Sequence, residues 1–358
     1  FVFDEEYIVD DDIVFLLLEF AENAKVQKRY KDAFKYYELA AKEKNAEAQR
    51  CLGNCYIYGL GVNKDESEAI KWYKRAAKQG CVKAQYNLGV CFLQGKGVVK
   101  DTEEAVKWFR KAAKQNNVHA QNKLGVCYKN GIGIDKNEQE AVKWFRKSSE
   151  QDCAMAQCNL GFCYERGIGI DKDEVEAVKW YRKAAELDYV IAQNSLGMCY
   201  LKGCGVLKNY DEAFKWISFA ALRGNALAQF TLGDLYKNGE GVEQSCEKAF
   251  EWYLKSAEQG NVDAQFHVGD CYQHGYGIDQ DDVEAVKWYR KSADQGYAKA
   301  QRNLGDCYRY GQGVEEDEKE AVKWYLKSAE QGNVIAQCNL GDCYRYGQGV
   351  DKDEVEAV

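Results

Sequence analysis

The chain has 358 residues, of which 30% are charged and 46% hydrophobic, and carries a formal net charge of −8. An acidic balance argues against a nucleic-acid backbone as partner, since that needs clustered positive charge. The longest strongly apolar run, Ile13–Leu18, is far too short to cross a bilayer, so no membrane insertion is expected.

In chain order, the opening FVFDEEYIVDDD is acidic and lacks the basic start of a signal peptide. It has no Met, and the sequence stops at Val358 in mid-pattern. Both features point to a piece of a longer protein. Residues 12–44 read as a degenerate leading unit, with Ala33 and Tyr36 in slots that recur later as Ala and Trp. No Gly-x-Gly loop follows there, as suits a capping repeat. Residues 1–44 are therefore expected to form an N-terminal segment with a cap.

From residue 45 the chain repeats itself. All eight tryptophans, Trp72, Trp108, Trp144, Trp180, Trp216, Trp252, Trp288 and Trp324, stand 36 residues apart. Nine glycines from Gly53 to Gly341 and nine Ala-Gln pairs from Ala48 to Ala336 keep the same period. Full units run 45–80, 81–116, 117–152, 153–188, 189–224, 225–260, 261–296 and 297–332, and a ninth begins at 333. Each unit predicts two helices. In 153–188, Ala156, Leu160, Cys163 and Tyr164 share one helical face, and Ala177, Trp180, Tyr181 and Ala184 share another. Gly161 lets a neighbouring helix approach. Gly167 and Gly169 end the first helix, and Asp171 and Asp173 open the second. The second helix is expected to stop at Gly80, Gly224, Gly260, Gly296 or Gly332, and at Asn116, Asp152 or Asp188 elsewhere. Such pairs bury both stripes only by stacking. The fold class expected is therefore all-α, a right-handed α/α superhelical solenoid of helix-turn-helix repeats.

The phrase "AMAQCNLGFCYERGIGIDKDEVEAVKWYRKAAE" at 154–186 resembles the Sel-1-like repeat, a relative of the tetratricopeptide repeat. The resemblance covers about 45–358. It implies the same solenoid, and a scaffold or adaptor rather than an enzyme. The alternative it leaves open is a regulatory solenoid arm of a larger enzyme, such as a kinase or a ubiquitin-ligase or endoplasmic-reticulum degradation component. Fold alone does not decide between them.

Eight of the fifteen cysteines occupy one slot: Cys55, Cys91, Cys127, Cys163, Cys199, Cys271, Cys307 and Cys343. Leu235 holds that slot in the remaining unit, so it reads as a core position filled by reduced thiols. This favours a cytoplasmic, reducing compartment. His267, Cys271 and His274 have a spacing that could hold a metal, but the Cys belongs to the core slot and no fourth ligand is evident. Ser245 and Lys248 match a penicillin-binding motif by chance, and the Gly-x-Gly loops are helix stops. No catalytic residue, cofactor or metal site is expected.

By the resemblance, the first helix of each unit lines a concave groove that would hold a protein or peptide. Groove positions are apolar through the middle: Met155 and Phe162, then Ile191, Met198 and Leu201, then Leu227 and Phe230. Phe266, His274 and a series of aspartates follow: Asp234, Asp270, Asp306 and Asp342. Lys237, Arg309 and Arg345 lie three residues after Asp234, Asp306 and Asp342, close enough to pair. With Tyr310 and Tyr346, this end is expected to be a mixed polar surface of little net charge.

Overall fold

A computed structural model describes residues 11–353 and 355–357. Among these residues there are nineteen helices and no strand. The expected N-terminal segment 1–10 lies outside the described residues; Asp11–Val26 and Tyr30–Lys42 form the first helix pair. Two compact units divide the chain at Trp180 and Tyr181, within the helix Glu174–Glu186. In each unit a repeat contributes an A helix and a B helix, such as Ala226–Asn238 and Cys246–Glu258. Within each compact unit A helices pack on their own B helices and B helices on the next A helix, as Ala226–Asn238 does on Cys246–Glu258 and Cys246–Glu258 on Val262–His274.

Local chemistry sets the helix ends. B helices begin at a side chain that accepts the backbone N–H three residues on: Asp65, Asp101, Asn137, Asp173, Asn209, Ser245, Asp281 and Asp317. Ser245 is thus a cap, which explains its spacing to Lys248. A helices end at a left-handed glycine, as at Gly239, with φ 71°. The stops expected for the B helices also hold. Gly80, Asn116, Asp152, Asp188, Gly224, Gly260, Gly296 and Gly332 all have positive φ.

One contact sets the distance between A and B. A Cβ added at Gly125 would lie 2.6 Å from the Phe145 ring, and one at Gly233 2.6 Å from the Tyr253 ring. The missing side chain is therefore the space that the B-helix aromatic fills, and Phe145 and Tyr253 are buried in consequence. Small residues complete the packing: the recurring alanines are buried, and so are the eight cysteines of the common slot. Burial pushes the Cys91, Cys127 and Cys163 thiols up to about 11. They are core groups, poor in thiolate.

The recurring glutamine joins one repeat to the next. Gln229 donates from Nε2 to the Ala221 carbonyl of the preceding B helix at 3.1 Å, and its Oε1 accepts from Gln259 Nε2 at 2.6 Å. Gln265 and Gln301 repeat both bonds with their own neighbours. The role is visible only in three dimensions, because the partners lie eight residues earlier and thirty later.

The second glycine of each loop has a role beyond stopping a helix. A Cβ on Gly313, at φ +70°, would stand 2.1 Å from the Asp282 carbonyl oxygen of the preceding repeat. Three glycines in neighbouring places should therefore differ. Gly313→Ala combines left-handed strain with a backbone clash and should cost the most, several kcal/mol. Gly305→Ala pushes on the Tyr325 ring at 2.6 Å and should cost about 1–3 kcal/mol. Gly296→Ala has nothing within 4 Å and should cost about 1 kcal/mol for its backbone angle alone. Urea unfolding of the three variants checks the order.

Candidate partner-binding groove

Groove positions follow from the A-helix register. From Ala46 onward one face of the A helices carries Ala, Gln, Leu or Val, Gly, and Cys or Leu, which the stack uses. The remaining positions vary from repeat to repeat, and there the predicted site residues sit.

In the second compact unit, Met198, Leu201, Leu227, Phe230 and Asp234 line one groove of about 560 Å³. Lys208, Lys237 and Glu240 rim it. Ile191 and Leu227 are 53% and 52% exposed, so these apolar side chains are surplus to the core. Met198 and Leu201 are half-buried, and the Thr231 hydroxyl approaches Met198 Sδ at 4.0 Å. In the first compact unit Met155 is half-buried, while Phe162 is exposed. Lys129 and Arg166 lie over the Phe162 ring at 5.0 and 5.9 Å from its centroid.

Phe266 is a correction. It is only 8% exposed and packs on Tyr289 and Tyr297, with centroids 5.8 and 5.4 Å away. It fills the core between repeats and does not face the groove. His274 is exposed; its Nδ1 lies 3.0 Å from the Asp270 carbonyl and its ring stacks on Tyr276. Among the described residues no three His, Cys, Asp or Glu side chains form a metal-sized cluster.

The aspartate series needs a larger correction. The expected pairing three residues on is present only between Asp342 and Arg345, at 4.0 Å. Asp306 instead pairs with Arg302 at 2.9 Å, and Arg309 donates to Gln348 at 2.6 Å. No ion pair joins Lys237 to Asp234 among the described residues. The aspartates serve the B helix. Tyr253, Tyr289 and Tyr325 hydroxyls lie 2.7 Å from Asp234, Asp270 and Asp306, to which they donate. Asn303 and Asn339 of the next repeat donate to Asp270 and Asp306 as well. An uncharged residue can do the same: Asn54 accepts from Tyr73 at 2.6 Å and from Asn87 at 3.3 Å.

In three of the four repeats whose A-helix slot is apolar, the B-helix partner carries no hydroxyl; the exception is Phe162, with Tyr181 nineteen residues on. Val90 and Val126 face Phe109 and Phe145, and Met198 faces Ile217, each nineteen residues on. Polarity in this slot is thus matched to a buried tyrosine hydroxyl, which would be costly to leave unpaired. Tyr310 and Tyr346 remain exposed at the ends of their A helices, and Arg309 lies over the Tyr310 ring at 5.6 Å.

Comparisons now give the pattern a family. The Sel1 repeat matches residues 26–45, 46–81, 82–117, 118–153, 154–189, 190–225, 226–261, 262–297, 298–333 and 334–358. The chain belongs to the Sel1 repeat family. It is similar to the crystal structure of c5321, a protective antigen of uropathogenic Escherichia coli strains displaying an SLR fold. That likeness is 34% identity over 96% of this chain and 85% of that one, with a TM-score of 0.62. It is also similar to a Sel1 repeat protein from Oxalobacter formigenes, at 36% identity over 68% of this chain and 96% of the other, TM-score 0.61. No curated protein matches. This Sel1 repeat protein is an all-α solenoid, and among the described residues no helix is long and apolar enough to cross a membrane.

A double-mutant cycle tests the slot pairing. Asp234→Val alone strands the Tyr253 hydroxyl and should cost about 1–3 kcal/mol. Adding Tyr253→Phe recreates the Val90 and Phe109 combination and should recover most of that loss, a coupling of at least about 1 kcal/mol. Asp234→Asn keeps an acceptor. Burial, ahead of the opposing Tyr253 hydrogen bond, raises the Asp234 carboxyl above its ordinary value. Ionising it therefore costs stability as pH rises through the raised value, and the cost is absent in acid. Asp234→Asn should stabilise at pH 7, and the gain should vanish as the solution is acidified; thermal melts against pH measure this.

Proposed function

We propose that this Sel1 repeat protein is a non-catalytic scaffold that holds a peptide or domain against its A helices. The observation that carries the reading is the groove around Met198, Leu201, Leu227 and Phe230. Leu227 is exposed there, with Met198, Leu201 and Phe230 half-buried beside it, and an apolar surface of this kind marks an interaction site. Met is adaptable and suits a surface that accommodates a partner's side chains. Phe162, flanked by Lys129 and Arg166, is proposed as a second contact, in the first compact unit. Tyr310 and Tyr346, exposed at the A-helix ends, are proposed as contacts, with Arg309 and Arg345 as polar contacts beside them. The aspartates are not proposed as anchors, because framework donors already occupy them. A core built with free thiols, which needs no disulfide, supports a reducing compartment.

The test is affinity capture with mass spectrometry, comparing the native chain with a variant carrying Met198→Gln, Leu201→Gln and Leu227→Gln. The variant should keep its helical circular dichroism and melting temperature and lose its specific partners. Equal capture by the folded variant would contradict the groove as the binding surface. Phe162→Gln, run in parallel, reports on the first unit separately.

A further inference from the structure

We propose that His267 makes the Phe230 wall of this groove respond to pH. The proposal rests on the reading of the groove as a partner site and adds a regulation to it. Its starting point is a comparison of equivalent positions. The slot of His267 holds Asn at 87, 159, 303 and 339, Ser at 195, Thr at 231, Lys at 123 and Cys at 51. Asn87, Asn303 and Asn339 each bridge to an acceptor thirty-three residues earlier, at 3.3, 3.3 and 3.0 Å. The matching acceptor for His267 is Asp234. The imidazole does not take that bond. It stacks on Tyr253, with centroids 5.1 Å apart and planes at 17°, and on Phe230, at 5.6 Å and 29°.

The ring is thus a packing partner for a groove residue, in a place where three other repeats put an amide that bridges to the preceding repeat. It also lines a cavity of about 360 Å³ together with Lys237, Tyr253, Asp270 and Cys271, which gives protons a route to it. The charges around it come from every neighbouring element. The A helix Ala226–Asn238 presents Asp234 and Lys237; the B helix Cys246–Glu258 presents Tyr253; its own helix presents Asp263 and Asp270. Asp270 Oδ2 lies 3.9 Å from His267 Nδ1.

Neutral and charged rings have different best positions here. A neutral imidazole gains by packing against the Phe230 and Tyr253 rings, which also touch each other at 5.7 Å between centroids. An imidazolium gains by moving toward Asp234 and Asp270, and the cavity leaves it room. Burial and then Lys237 hold the imidazole below its ordinary value, so the stacked neutral ring is the resting state at neutral pH. Its contribution to stability is complete above about pH 6.5, the ordinary imidazole value. It is lost as pH falls toward the depressed folded value. Acidification then withdraws the ring from Phe230 and changes the wall that a partner meets.

The experiment is a ¹H–¹³C NMR titration of the native chain between about pH 4.5 and 8, labelled in Phe and His rings, beside His267→Asn. Asn is the residue that the same slot carries in four other repeats, so the variant keeps a side chain that fits. In the native chain the Phe230 ring resonances should move with pH and share the midpoint of His267, below about 6.5. In His267→Asn the Phe230 resonances should stay fixed through that range. Phe230 resonances that ignore the His267 midpoint, or that titrate unchanged in His267→Asn, overturn the proposal. The readout needs no partner, so loss of capture by the groove variant and absence of this titration are separate results.

Discussion

The A-helix glycine, lodged under an aromatic ring of the B helix at Gly53, Gly89, Gly125, Gly233, Gly269 and Gly305, governs much else in this molecule. The ring can approach only because the glycine lacks a Cβ. That approach fixes the A–B distance, buries the ring, and makes every atom on the ring the core's concern. Where the ring is Phe, nothing more is needed. Where it is Tyr, the hydroxyl enters the stack with it and must find an acceptor. For Tyr73, Tyr253, Tyr289 and Tyr325 that acceptor is the A-helix residue next to the glycine. A residue on the groove side of the helix is thereby chosen by a requirement on the other side.

This constraint separates framework from free choice more sharply than exposure does. Asp234, Asp270 and Asp306 look like ligands for a basic partner when the A helix is viewed alone. They are half-buried acceptors whose lone pairs are taken by tyrosine hydroxyls, with amides of the next repeat on two of them. Leu227, seven residues before Asp234 on the same helix, answers to no such requirement. Binding energy is therefore better sought among the apolar groove positions, and the polar slot is better read as part of the stack.

The fold was legible in the sequence because its signals are local or strictly periodic. Trp every 36 residues, the Asp, Asn or Ser cap before the B helices and the Gly, Asn or Asp after them act within a few residues of where they stand. The same holds for the cysteine slot, since one Leu in the series reveals it as core. What could not be read were contacts at long sequence separation. The Asp234 acceptor role depends on a hydroxyl nineteen residues on, and the Gln229 bridge on a carbonyl and an amide in two other helices. The loop glycine Gly313 meets a carbonyl of the preceding repeat. A signal for the first did exist: Val pairs with Phe and Asp with Tyr at that spacing, and a comparison of units across it would have found the match. Phe266 was misplaced for a related reason. Counting along one helix assigned it to the groove, whereas Tyr289 and Tyr297 cover it.

The division between framework and groove within a single helix is the central claim. Its most direct measurement is a proteolysis-coupled stability scan of every substitution in the A helix Ala226–Asn238. The account predicts that Gly233 tolerates almost nothing, that Asp234 tolerates Asn and little else, and that Leu227 accepts polar residues with stability nearly unchanged. If Asp234 proved as permissive as Leu227, the aspartate would not be held by the stack, and the assignment of the two residues would have to be reversed.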